Sequence, residues 1–260
     1  MRVLRETWDY LTTWSHWHGA DGIWTLLVQQ LLLSVTALAV TVLIGLPIAL
    51  WLGHLGRGGF VAINTSNIGR AVPTFALLAI LVTLDHPGVA TFGPYGRAGL
   101  ATLIALSLFA LPPIITNGYV AVAEVPEEIK ESARGMGMTG AQQFLRVELP
   151  LALPLVVSGV RLALVQVWAT ATIAALVAGP GLGNVITEGS YRTNYGQGIA
   201  GAIVVGAVAL VLELIAATVQ RLATPPGAAG SSPDRNRTAG AGMSAGGPTV
   251  AARAGTVGAQ

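Results

Sequence analysis

Five stretches of this chain, near residues 27–52, 60–84, 98–122, 150–178 and 199–222, are long and apolar enough to cross a bilayer. A hydrocarbon core of roughly 30 Å takes about 20 helical residues. Within lipid the backbone must satisfy its own polar groups, which a helix does and an open strand does not. The fold class expected is therefore an all-α membrane protein with about five transmembrane helices. Charge agrees with this reading, since only 10% of the 260 residues are charged, against about 25% in soluble domains. The mean hydropathy is +0.66. In the second stretch the cleanly apolar part, Ala71 to Leu84, is too short alone. Its span begins among Asn64, Thr65, Ser66, Asn67 and Arg70, whose polar groups must face protein or water.

Several function classes fall away. The formal charge of +2 comes without a basic run, so no nucleic-acid partner is expected. The absence of Cys excludes disulfides, thiolate metal sites and cysteine nucleophiles. His16 and His18 stand two apart in a Trp-rich stretch, an interfacial pattern rather than a metal site. The spans hold no nucleophile–base pair and no acidic metal motif, so neither catalytic residues nor metal ligands are expected.

Residues 1–23 carry Arg2, Arg5, Glu6, Asp9 and Asp21 and do not read as a cleavable signal. Leu4, Trp8 and Leu11 fall on one helical face. With Trp14, Trp17 and Trp24 they describe an extracytoplasmic segment in the membrane interface. Residues 24–222 form the transmembrane domain. From 223 to 260 the composition turns to Pro, Gly, Ala, Ser and Thr, which reads as a disordered tail. Short connections on one side hold Arg57, Lys130, Arg134 and Arg146, with Arg221 after the last span, whereas the other side holds Arg97 and Arg192. Positive residues stay inside, which places the C-terminus and tail in the cytoplasm. Arg2 and Arg5 weaken this bias without reversing it.

The long charged connection, residues 124–149, reads as two short helices on that cytoplasmic side. Pro126 suits a first helical turn, and Glu127 and Glu128 complement its dipole. Gly135 and Gly137 end that helix. Thr139 and Gln142 have capping-box spacing for a second helix, which is expected to stop before Pro150. Ile129, Ala133 and Met136 line one face of the first helix, and Glu127, Lys130, Glu131 and Arg134 surround it. By periodicity alone this is either a solvated amphipathic loop or a docking element.

Glu131-Ser132-Ala133, Gly137, Val147 and Leu149-Pro150 resemble the Glu-Ala-Ala signature of ATP-binding-cassette importer permeases, with matching spacing throughout. Ser132 stands in place of Ala and Val147 in place of Ile. The resemblance implies a type I importer permease bundle in the bacterial plasma membrane, with a coupling helix seated in an ATPase subunit. Ile129, Ala133 and Met136 would bury into that partner, while Glu131 and Arg134 pair at its rim. Lys130 is the only lysine and lies in no glycine-rich phosphate loop. The chain is not an enzyme on this reading, and ATP and Mg belong to the separate ATPase.

A wider resemblance covers roughly residues 27 to 222. It runs through Gln30 to Ser34, Asn67 through Pro73-Thr74, Ala110 to Pro113, Arg134 to Met138, Arg146 to Pro150, Gly159-Val-Arg161, Ala169 to Thr172 and Gly179 to Gly183. These are similar to permeases of osmoprotectant importers, which carry glycine betaine, choline, carnitine and related quaternary amines. Such importers imply an extracytoplasmic solute-binding protein, two ATPase chains and a second permease, either another copy or a similar chain. Ergothioneine, methionine or other amino acids are the rival substrates within the class, and a passive channel is the rival mechanism.

Candidate pathway or gate residues are Asn67, Pro73, Thr74, Trp168, Thr170, Thr172, Gly179, Gly181 and Gly183. For Trp168 a packing role competes with lining the path. Gln29, Gln30 and Asn117 are expected to hydrogen-bond between helices, and Pro112 and Pro113 to kink the third span. Arg161 and Glu213 lie at matched depth, about 13–16 Å from the cytoplasmic ends at a rise of about 1.5 Å per residue. Both are expected to face the bundle interior, either meeting one another or finding separate partners.

Overall fold

Runs of apolar residues with small residues every third or fourth place build long helices that approach closely. The computed structural model describes residues 1–60, 63–64, 69, 71–84, 93–96 and 98–223, and no strand occurs among them. Asn67, Arg70 and, of the tail expected over 223–260, residues 224–260 lie outside the described residues, whereas Ala223 is helical. Helix α1 spans Arg2–Thr12, α2 Ile23–His54, α3 Thr74–Leu84, α4 Gly99–Ala123, α5 Glu127–Gly135 and α6 Gly140–Gln143. Then come α7, Leu149–Ala174, α8, Gly183–Tyr191, and α9, Tyr195–Ala223.

α2 is the central column. Leu26, Gln30, Leu33, Ala37, Thr41, Gly45, Ala49 and Gly53 are its buried stripe, recurring every three or four residues. On its other side Leu43, Ile44 and Ile48 stay exposed, as lipid allows. At 32 residues it begins at Ile23, before the expected start, and is about 48 Å long. It therefore exceeds the hydrocarbon thickness and has room to tilt or protrude.

Small residues set the seam between α2 and α4. A methyl group added at Gly118 would stand 2.9 Å from Ala49 Cβ, and one at Gly53 2.8 Å from the Tyr119 carbonyl oxygen. Lipid tails give no hydrophobic gain for helix pairing, so such close contact has to supply the attraction. The core shared by α2, α4 and α7 is Leu33, Ala37, Leu106, Ala110, Ile114, Ala163, Val167 and Ala171. α4 is unbroken across Pro112 and Pro113, both buried. α9 carries exposed Ile203, Leu210, Val211, Leu214, Ile215 and Val219, a surface for lipid or protein rather than water.

Two expectations change in detail. α3 is 11 residues long, about 16 Å, so the described helix alone does not cross the core. The second helix of the charged connection does not stop before Pro150. The chain stays helical from Gly140 to Val177, with a π turn at Phe144–Glu148. A proline ring clashes with the carbonyl four residues back. The wider turn, in which the Leu149 N–H bonds Phe144, lets the helix pass that position.

Candidate coupling surface and intramembrane sites

The charged connection is closed by caps where its two helices meet, at the end of α5 and the start of α6. Pro126 is the N-cap of α5 rather than its first turn, and Glu127 and Glu128 follow it. At the other end Gly137 has φ +79°. Its N–H bonds the Arg134 carbonyl (2.9 Å), and the Met138 N–H bonds Ala133 (3.2 Å). This is the Schellman arrangement, which favours glycine at the left-handed position. α6 opens with the capping box, the Thr139 hydroxyl accepting from the Gln142 N–H while Gln142 accepts from Thr139 N–H. Ser132 folds its hydroxyl back to the Glu128 carbonyl at 2.7 Å, so it occupies an alanine-like position.

The three apolar residues of α5 and its C-cap separate. Ala133 is buried against the chain, whereas Ile129 is exposed and Met136 is 71% exposed. Leu145 on the π turn adds a further exposed apolar side chain. Only Ile129 and Met136 of the expected trio are therefore available to a partner, because Ala133 is spent on holding α5 to its own protein. Glu131 and Pro150 are exposed, and Val147 and Leu149 are half-buried at the root of α7.

Beneath α5 runs a polar series that the sequence reading missed. Arg134 donates to Glu127 at 3.0 Å and to Gln143 at 3.3 Å. Gln143 donates to Glu148 at 2.7 Å, and His54 Nδ1 donates to the other Glu148 oxygen at 2.6 Å. A carboxylate only accepts, which assigns the His54 proton to Nδ1. Glu148 is 1% exposed. A charged residue at a span boundary ordinarily reads as interfacial, and nothing in the sequence pairs His54 with Glu148.

Within the spans, Arg161 donates to Glu213 through Nε at 2.9 Å and also through Nη2. Its Nη1 reaches Gln220 at 2.8 Å. The two charges meet across α7 and α9, each 35% exposed, in a groove of about 390 Å³ beside Ser158 and Leu162. They border a groove rather than lying enclosed inside the bundle.

At the far end of the bundle Gln30 gathers several candidate gate residues. Its amide donates to the Thr172 hydroxyl at 2.9 Å, and its oxygen accepts from the Leu182 N–H at 2.8 Å. Gly181 (φ +112°) packs onto it so closely that a Cβ there would stand 2.9 Å from Gln30 Oε1. Trp168 is 2% exposed, packed with Ile23, Leu26, Leu182 and Val185, and donates its indole N–H to Val205 at 3.2 Å. It is a core residue and not a path lining. Thr170, Gly179 and Gly183 are buried, Thr74 is half-buried and Pro73 exposed. Asn117 donates within its own helix, to Pro113 at 2.7 Å, rather than between helices.

Beside this turn a cavity of about 690 Å³ is lined by Asp21, Gln29, Gly179, Glu188, Tyr191 and Arg192. A second, of about 710 Å³, lies under α1 and includes Glu6, Tyr10, His16 and Tyr195. There the Tyr10 ring stacks on His16, centroids 4.1 Å apart. Burial first, then the negative charge of Glu188, raises the Tyr10 hydroxyl above its ordinary pKa. Among the described residues no group of three or more His, Cys, Asp or Glu could hold a metal.

Residues 42–225 match the family described as the inner membrane component of binding-protein-dependent transport systems. The chain belongs to this family. The permease is 29% identical over 204 residues to the glycine betaine/carnitine/choline transport system permease protein OpuCB of Bacillus subtilis, covering 78% of this chain and 88% of that one. It is 31% identical to the choline permease OpuBB of the same organism, over 76% of this chain and 87% of the other. Against glycine betaine/proline betaine permease ProW of Escherichia coli the identity is 29%, but the match spans only 54% of that longer protein. In fold the permease resembles a chain of the MetNI methionine transporter in an inward-facing conformation, with a TM-score of 0.65 at 22% identity. That likeness covers 79% of this chain and 96% of the other. The protein is thus a multi-pass inner-membrane permease with the fold of ATP-binding-cassette importers, and not itself a catalyst.

Proposed function

We propose that this permease moves a quaternary-amine osmoprotectant (glycine betaine, choline, carnitine or a close relative) inward by alternating access. The observation that carries the substrate class is the match to permeases of those solutes over about three quarters of this chain. The engine is a separate ATPase that binds ATP and Mg and receives α5 in a groove. Exposed Ile129 and Met136 enter that groove, while Glu131 and Arg134 pair at its rim. The Schellman turn at Gly137 and the capping box at Thr139 support this role, since a stiff helix transmits a push that a flexible loop would absorb. Lys and Arg bias puts α5 and the C-terminus in the cytoplasm.

An extracytoplasmic binding protein supplies the solute, and a second permease, identical or similar, completes the path. A quaternary ammonium is held by aromatic faces, yet Trp168 is enclosed in the core and Trp51 is exposed near one end of α2. Selectivity therefore belongs mainly to the binding protein.

Deletion of the chain is expected to abolish uptake of radiolabelled glycine betaine, choline or carnitine at high osmolarity. Loss confined to methionine or ergothioneine would remove the substrate class. Uptake that persists without the ATPase would remove the importer mechanism.

A further inference from the structure

A stiff helix reorients only those helices to which it is tied. α5 and α6 are tied to α7 by the chain itself, helical from Gly140 to Val177. α2 comes from the other end of the sequence and lacks that tie. It meets the segment in its last turn, where His54 donates to Glu148 at 2.6 Å and tilts its ring against Phe144, centroids 5.2 Å apart. The second Glu148 oxygen is taken by Gln143, which in turn accepts from Arg134 on α5. Hydrogen bonds to an ionised carboxylate are among the stronger ones, and an enclosed carboxylate is costly to leave unpaired. The join is short, and its carboxylate is buried while the His54 ring is half-buried.

We propose that His54 and Glu148 are positioning residues that carry displacement of α5 to α2, so that α2 and α7 move as one when the coupling helix is pushed. The proposal rests on the coupling role of α5 and adds a second output to it. Without the join, α2 would keep only its apolar packing on α7 and would follow the push less closely.

The test uses this chain assembled with its ATPase subunits and binding protein in proteoliposomes. Glycine betaine uptake per ATP hydrolysed is measured, together with the distance between spin labels at Leu43 on α2 and Leu162 on α7. In His54→Ala, uptake per ATP should fall about tenfold, hydrolysis should stay within about twofold, and ATP should change a label distance that is constant in the parent. His54→Gln, whose amide can still donate to Glu148, should recover most of the ratio. A parental ratio and constant distance in His54→Ala overturn the proposal, as does a His54→Gln as defective as His54→Ala. Should His54→Ala not reach the membrane, Glu148→Gln keeps the shape and weakens the bond. A drop of about threefold or more in its ratio supports the join, and a smaller change overturns it. Gly137→Asp separates the two readings. Normal uptake there defeats the coupling role itself, whereas lost uptake beside an unaffected His54→Ala defeats the join alone.

Discussion

At one end of the bundle a neutral amide, Gln30, holds the Gly179–Gly183 turn with bonds to Thr172 and Leu182. At the other end a charged series from Glu127 to His54 ties α5 to α2 and α7. Both devices pin chain segments far apart in sequence, but they suit different tasks. An enclosed amide matched donor for acceptor needs no counter-charge and locks one arrangement. A series of charge-assisted bonds that opens to water at Glu127 and Arg134 can be loaded from outside. The contrast is between an enclosed neutral lock and a charged series that reaches the surface.

Gly137→Asp attacks the charged end most directly. A side chain in the left-handed region costs roughly 1–2 kcal/mol, and the added charge sits beside the surface proposed to meet the ATPase. Uptake is expected to fall to background while the permease stays in the membrane, as read by transport assay and immunoblot. Glu131→Arg should do the same through rim charge alone.

Next in size is the pair between these ends. Arg161→Glu or Glu213→Arg alone should lower the yield of folded permease severalfold, since each opposes like charges within the spans. The double swap should restore most of it, measured by detergent-resistant monodisperse protein. No rescue would mean that each charge answers to a separate partner.

Gln30→Leu tests the fixed end. It leaves the Leu182 N–H without its acceptor, a loss of about 1–3 kcal/mol for a buried group. A lower thermal midpoint in detergent is expected, with ATPase association unchanged. Ser132→Ala is the smallest change, because the hydroxyl only bonds back within its own helix. Stability should move by less than about 0.5 kcal/mol and uptake should stay at the parental level.

Most of the helices were readable in advance because in lipid the backbone bonds within each helix, so local apolar length is enough to specify them. The paired end caps of the charged connection were equally readable, as caps are made by residues three or four apart. The continuation through Pro150 was not, because a proline reads as a helix stop and nothing in the residue pattern marks the π turn that carries the helix past it. Trp168 reads as ambiguous from spacing, and only packing from α2, α8 and α9 makes it core.

The sequence by itself determined a helical membrane permease with a capped, glycine-terminated charged connection. Tertiary structure alone decided that Ala133 turns inward, that Gln30 grips the glycine turn, and that His54 reaches Glu148. The reason is range. Hydropathy and capping act over a few residues and leave their mark in order along the chain. A hydrogen bond between helices is set by crossing geometry, and any of several polar residues near the right depth would satisfy the same local pattern.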